Sequence, residues 1–178
     1  MWELLAAVLA ADLATGVFHW IEDRYGSERW PRPLYEAIVE PNMLHHECPQ
    51  AFTRGGYWER NKLQVLPCVV LAGIALAFAW SPAVLLFLLL LSHANEIHCW
   101  AHTKRDRLPR PVRWLQAVGL LQSQRHHGRH HQAPFDDRFC ILTDWLNPIL
   151  DTVRFWRLLE ALCPFPVAAR DSDMRQAA

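Results

Sequence analysis

The chain has 178 residues, 18 Lys and Arg against 18 Asp and Glu, and a hydrophobic fraction of 52%. That length suits one domain. The zero formal net charge argues against a nucleic-acid partner. The information lies in how the residues are segregated along the chain.

The N-terminal stretch "MWELLAAVLAADLATGVFHW" (1–20) is the first candidate membrane span. It lacks the positive start of a secretory signal peptide, and no small-residue cleavage site follows Trp20. Asp12 interrupts it. An acid inside a span is read as functional, with a helix–helix hydrogen bond as its plainer role.

From Leu63 to Asn95 no Lys, Arg, Asp or Glu occurs, and only "WSP" at 80–82 interrupts the run. One span needs about 20 helical residues. Pro82 disfavours helix at Ser81, so the run predicts a hairpin: a second helix over about Trp58–Trp80 and a third over about Pro82–His102. A buried soluble hairpin is the competing reading. The segments "RPVRWLQAVGLLQSQ" and "LNPILDTVRFWRLLEALC" are too short or too charged to span. They fit helices lying in the interface or packed on the spans. Residues 1–165 thus form one domain, and 166–178 are expected to be a disordered tail.

With three spans, residues 21–57 and 103–178 share one face of the membrane. All 18 Lys and Arg fall in those segments or at their edge, so the positive-inside rule makes that face cytoplasmic. Trp2 and Trp80 mark one interface, and Trp20, Trp58 and Trp100 the other. The five cysteines include no CxxC pair and are expected to stay reduced.

Nine of the ten histidines lie at or beyond the cytoplasmic ends of the spans. They are His19, then His45 and His46 in "HHECP", His98 and His102 in "HCWAH", and His126, His127, His130 and His131 in "HHGRHH". His98 and His102 are i and i+4, so on a helix both rings face one way. The pairs 126/130 and 127/131 repeat that spacing. Adjacent helical residues point about 100° apart, so the doubled motif can serve two ions. Nine imidazoles exceed the four ligands of one zinc. Imidazole suits zinc, copper, iron and nickel alike. Asn95 shares a helical face with His98 and His102 and is a candidate site residue. Asp23, four residues after His19, can orient a ring, and Asp12 shares its face. His93, off the 98/102 face, is read as structural.

The segments "ADLATGVFHWIEDRYGS", "HHECP", "NEIHCWAH", "LPRPVRWLQ", "RHHGRHHQAPFDDRFCILTDWLN" and "FWRLLE" resemble the plasmanylethanolamine desaturase (CarF and Kua-type) family of membrane di-iron lipid desaturases. The resemblance runs from about residue 11 to 160. It departs in two places: members of that family carry a further hydrophobic segment before "ADLATG" and a longer loop between spans two and three.

The resemblance implies an all-α integral membrane protein with about three spans and a metal site on the cytosolic face. It implies two iron ions, O2 as co-substrate, and His19, His45, His46, His98, His102, His126, His127, His130 and His131 as iron ligands. His93 falls outside the pattern. The implied reaction converts a 1-O-alkyl ether phospholipid to a vinyl ether, a plasmalogen. A plastid relative introduces a double bond into an acyl chain instead. The chain has no GxGxxG fingerprint, so a donor such as ferredoxin or cytochrome b5 is expected to supply electrons. Arg105, Arg107, Arg110, Arg113 and Arg129 could meet that donor or lipid phosphates. The competing classes are a di-iron hydroxylase, a non-enzymatic metal-binding membrane protein and a bis-histidine haem protein.

Overall fold

A computed structural model describes residues 2–78 and 80–168. The described residues form helices joined by loops and contain no strand. Helix α1 spans Trp2–Tyr25 and α4 spans Tyr57–Phe78, each long and apolar enough to cross a membrane. Between them lie α2 (Arg32–Leu34), a π-turn (Tyr35–Val39) and α3 (Glu40–Glu47). Helix α1 runs five residues past Trp20, which brings His19 and Asp23 onto one continuous helix.

The hairpin turns where the sequence places it. Ser81 caps the next helix, α5 (Pro82–Ser92), its side chain accepting from Val84 N, with Pro82 in the first turn. Helix α5 packs against both α1 and α4. One side of α4 is bare: Leu63, Leu66, Val69, Val70 and Ile74 are all at least half exposed. In water such a patch would be costly; in hydrocarbon it is the expected surface.

The third span departs from the expected single helix. It is broken into α5 and α6 (Ala94–His102), which meet at 47°. The cause is local. An unbroken helix would give the Leu89 carbonyl to the backbone N–H of His93. Instead Ser92 Oγ takes it at 2.8 Å and His93 Nδ1 at 3.0 Å, while His93 N bonds to Leu90 O. Side chains compete with the ladder and kink it. His93 therefore sits at the bend, away from the other histidines.

The bend is clamped from α4. Arg60 pairs with Glu96 at 2.7 Å, Asn95 Nδ2 donates to Arg60 O at 2.8 Å, and Glu96 N donates to Asn61 Oδ1 at 3.1 Å. Beyond α6 come a 3-10 turn (Arg105–Arg107), α7 (Arg110–Ala117) and α8 (Gln124–His130). The last helical segment is two helices, α9 (Leu146–Thr152) and α10 (Phe155–Leu162), separated by Arg154 at φ 54°. Trp114, Ile149, Val153, Leu158 and Leu162 are exposed along α7, α9 and α10, as suits helices at an interface. Of the expected C-terminal tail, residues 169–178 lie outside the described residues.

Between α8 and α9 an extended strap, residues 136–144, crosses α1. Asp12 receives it: Oδ1 accepts from Leu142 N at 2.9 Å, and Oδ2 from Thr143 Oγ1 at 2.5 Å. Gly16 permits the close approach. A Cβ there would stand 2.6 Å from Cys140 Sγ and 3.0 Å from Trp156.

Candidate metal centre

The histidines come together at the end of α1 and α6 where α3 and α8 cover them. Helix α8 is capped by Ser123, whose Oγ accepts from His126 N at 3.2 Å. Asp144 accepts from Ser123 N and Oγ at 3.0 and 2.7 Å and so ties the helix start to the strap. The helical turn then aims His127 and His130 inward, and both are fully buried.

Two groups result. In the first, His45, His98, His102, His127 and His131 each offer a nitrogen, all within 4.8 Å of one another. Nε2 of His98 stands 2.7 Å from Nε2 of His127 and 3.3 Å from that of His102. Nε2 of His131 stands 3.1 Å from that of His127. Around an ion with metal–nitrogen bonds of about 2.1 Å, neighbouring donors are about 3.0 Å (octahedral) to 3.4 Å (tetrahedral) apart. Two of the three spacings, 3.1 and 3.3 Å, fall in that range, and the third, 2.7 Å, lies just below it. His45 adds the plainest sign: both its ring nitrogens are buried and neither has a hydrogen-bond partner. A buried imidazole left so is costly without an ion.

The second group is His19, Asp23, His46 and His130, again with one donor atom each inside 4.8 Å. Asp23 is its centre. Its carboxylate lies 2.9 Å from His46 Nε2, 3.1 Å from His130 Nε2 and 3.6 Å from His19 Nε2, and it accepts from Asn42 Nδ2 at 2.8 Å. Behind the rings, His19 Nδ1 donates to Phe139 O at 3.2 Å and His130 Nδ1 to Asp137 O at 2.7 Å. Each bond fixes the tautomer and leaves Nε2 as the inward donor. The groups adjoin: the rings of His46 and His131 are 4.8 Å apart, those of His19 and His98 5.4 Å.

Burial among other imidazoles holds His45, His127 and His131 well below the ordinary histidine range, desolvation being the largest cause. They are neutral at physiological pH, the form that binds a metal. Aromatic rings seal the site. Phe52 packs on His45 and His98 at 4.9 and 5.0 Å, Phe135 on His46 at 5.6 Å and Phe139 on His130 at 5.3 Å.

Three expected site residues lie elsewhere. His126 belongs to neither group; its Nε2 faces Asn147 Nδ2 at 3.1 Å and its Nδ1 faces Arg138. It is one residue from His127, and the 100° helical step turns it away. Asn95 faces α4 and bonds Arg60 O rather than the rings. Asp12 holds the strap's backbone. Conversely, the carbonyls of Asp137 and Phe139 and the rings of Phe52 and Phe135 were not singled out in the sequence. Backbone carbonyls carry no residue signature, and the phenylalanines only the general one of apolarity.

The fold and site define a class: a helical membrane protein that gathers two buried histidine-rich groups at one end of its spans. Residues 8–170 match the lipid desaturase domain, and the chain belongs to that family. It is 33% identical over 172 residues to plasmanylethanolamine desaturase 1 of Mus musculus (89% of this chain, 63% of that one). It is 34% identical over 173 residues to plasmanylethanolamine desaturase of Myxococcus xanthus (90% and 60%). It is 33% identical over 171 residues to fatty acid desaturase 4, chloroplastic, of Arabidopsis thaliana (93% and 52%). The chain thus spans about half to three fifths of the length of these relatives. No solved structure matches it.

Proposed function

We propose that the chain is an O2-dependent di-iron lipid desaturase that converts the 1-O-alkyl chain of an ether phospholipid to a vinyl ether. The observation that carries this reading is the pair of adjacent buried groups, eight imidazoles and one carboxylate, at the end of apolar helices. An unactivated C–H bond has no acidic proton, so side-chain acid–base chemistry alone does not remove it. A reduced iron pair supplies, with O2, the oxidising power that this bond requires. His45, His98, His102, His127 and His131 would hold one ion, and His19, Asp23, His46 and His130 the other.

Per turnover the lipid loses two hydrogens and forms one C=C bond. O2 takes those hydrogens, two electrons and two protons, and leaves as two waters. This chain's residues hold the donors in place, keep the imidazoles neutral and exclude bulk water through the phenylalanine seal. The electrons come from outside, from a donor such as ferredoxin or cytochrome b5. Arg105, Arg107, Arg110 and Arg129 are exposed, follow His102 or adjoin His130 in the chain, and suit an acidic donor. The distribution of Lys and Arg favours a cytoplasmic active-site face.

The likeness to a protein named fatty acid desaturase favours a second reading, a double bond placed in an acyl chain. Lipid mass spectrometry separates the two. The host is a cell with alkyl-ether lipids and no plasmalogens, expressing the chain or His127→Ala. The first reading expects acid-labile lipids two mass units lighter, only with the intact chain. A new acid-stable alkene would move the assignment to the acyl reading. An added oxygen would make the chain a hydroxylase, and no lipid change with iron-loaded protein would overturn the enzyme reading.

A further inference from the structure

The two groups are supported differently, and the difference points to a residue outside both. In the second group, the outer nitrogens of His19 and His130 bond to Phe139 O and Asp137 O. In the first, Nδ1 of His45, His127 and His131 has no hydrogen-bond partner. Among the described residues the strap's carbonyls therefore brace rings of the second group only. What fixes the strap next to those carbonyls is Asn147, on α9 and fully buried. Its Oδ1 accepts from Cys140 N at 2.9 Å, and its Nδ2 donates to Cys140 O at 2.8 Å. The same Nδ2 reaches His126 Nε2 at 3.1 Å, which links the strap to the first turn of α8. Gln122 Nε2 adds a second bond to Cys140 O, at 2.6 Å.

We propose that Asn147 is a positioning residue for the second metal group alone: by clamping both backbone groups of Cys140 it sets the carbonyls that orient His19 and His130. His126, the odd member of "HHGRHH", is in this arrangement the partner of Asn147 and not a ligand. Outer partners of this kind change metal affinity by about 10–100-fold. The inference rests on the two-ion reading above.

The test is metal content and spectroscopy on the full chain in lipid nanodiscs, reconstituted with 57Fe(II). Wild type is expected to hold about two irons per chain with two distinguishable Mössbauer signals. Asn147→Ala is expected to lose one signal, the one that His19→Ala also loses, and to keep the other. The retained signal is its own control for folding. Where Asn147→Ala does not accumulate, Asn147→Asp is used: it keeps the acceptor for Cys140 N and loses the donor to Cys140 O and His126. It is expected to weaken the same site alone, raising the iron concentration for half-loading about 10-fold. Unchanged binding, or equal weakening of both sites, overturns the assignment. Wild-type protein that never holds two irons would overturn the two-ion reading instead.

Discussion

The two histidine groups solve one problem in opposite ways. The first relies on number: five imidazoles from α3, α6 and α8, beyond the last residue of which stands His131, with no hydrogen-bond partner on the Nδ1 of three of the rings. The second relies on orientation: three imidazoles and a carboxylate, two rings braced by backbone carbonyls. A five-donor group can lose a ligand and still offer the four donors of a tetrahedral shell. The second has none to spare, and its one charged donor, Asp23, touches all three of its rings.

The largest test of that contrast is Asp23→Ala against His102→Ala. Asp23→Ala is expected to drop iron from about two per chain to about one and activity by at least about 100-fold, more than the loss of an outer partner. His102→Ala is expected to lower activity but leave iron near two, measured by elemental analysis on protein of matched monodispersity. Equal iron loss in both would end the comparison.

A pH series reads the same contrast through protons. His45, His127 and His131 have folded-state values far below their ordinary 6.5, so the unfolded chain binds more protons than the folded one once pH falls below about 6.5. Stability of the metal-free protein is therefore full above 6.5 and declines as pH drops beneath it. Thermal melts between about pH 5 and 8 should show a falling Tm on the acid side. Iron is expected to reduce that slope, because it competes with protons for the same nitrogens. A flat profile in the metal-free protein would mean that the imidazoles are not buried together.

The smallest expected effect belongs to His126. His126→Ala should cost activity no more than about 10-fold, the lower end for an outer partner, where His127→Ala abolishes it. Steady-state rates on the two neighbours give the comparison directly, and equal losses would place His126 among the ligands.

Much of this arrangement is written in local spacing. The uncharged run from Leu63 to Asn95 with Pro82 inside it yields the α4–α5 hairpin, and the i, i+4 pairs 98/102 and 127/131 face inward together because the helical period demands it. The resemblance likewise pointed to the family. Other features needed tertiary context. Nothing in hydropathy separates His126 from His127; their fates differ because α8 is seated by Ser123 and Asp144 on the strap. Asp23 is legible as the neighbour of His19, but its contact with His46 depends on the irregular connection through α2 and the π-turn that returns α3 to α1. The break at Ser92–His93 arises from two side chains taking one carbonyl, a competition that an apolar average conceals.

That break has a mechanical consequence. Helix α6 is nine residues long, about 13 Å at 1.5 Å per residue. A 47° deflection therefore carries its far end about 11 Å from where a straight helix would leave it. His102 rides at the tip of this lever arm. A change of only 10° would shift the tip by about 2 Å, whereas metal–ligand distances hold to about 0.2 Å. The Arg60–Glu96 pair and the Asn95–Arg60 and Asn61–Glu96 bonds are thus the stays of the lever, joining the long apolar α4 to the histidine cluster.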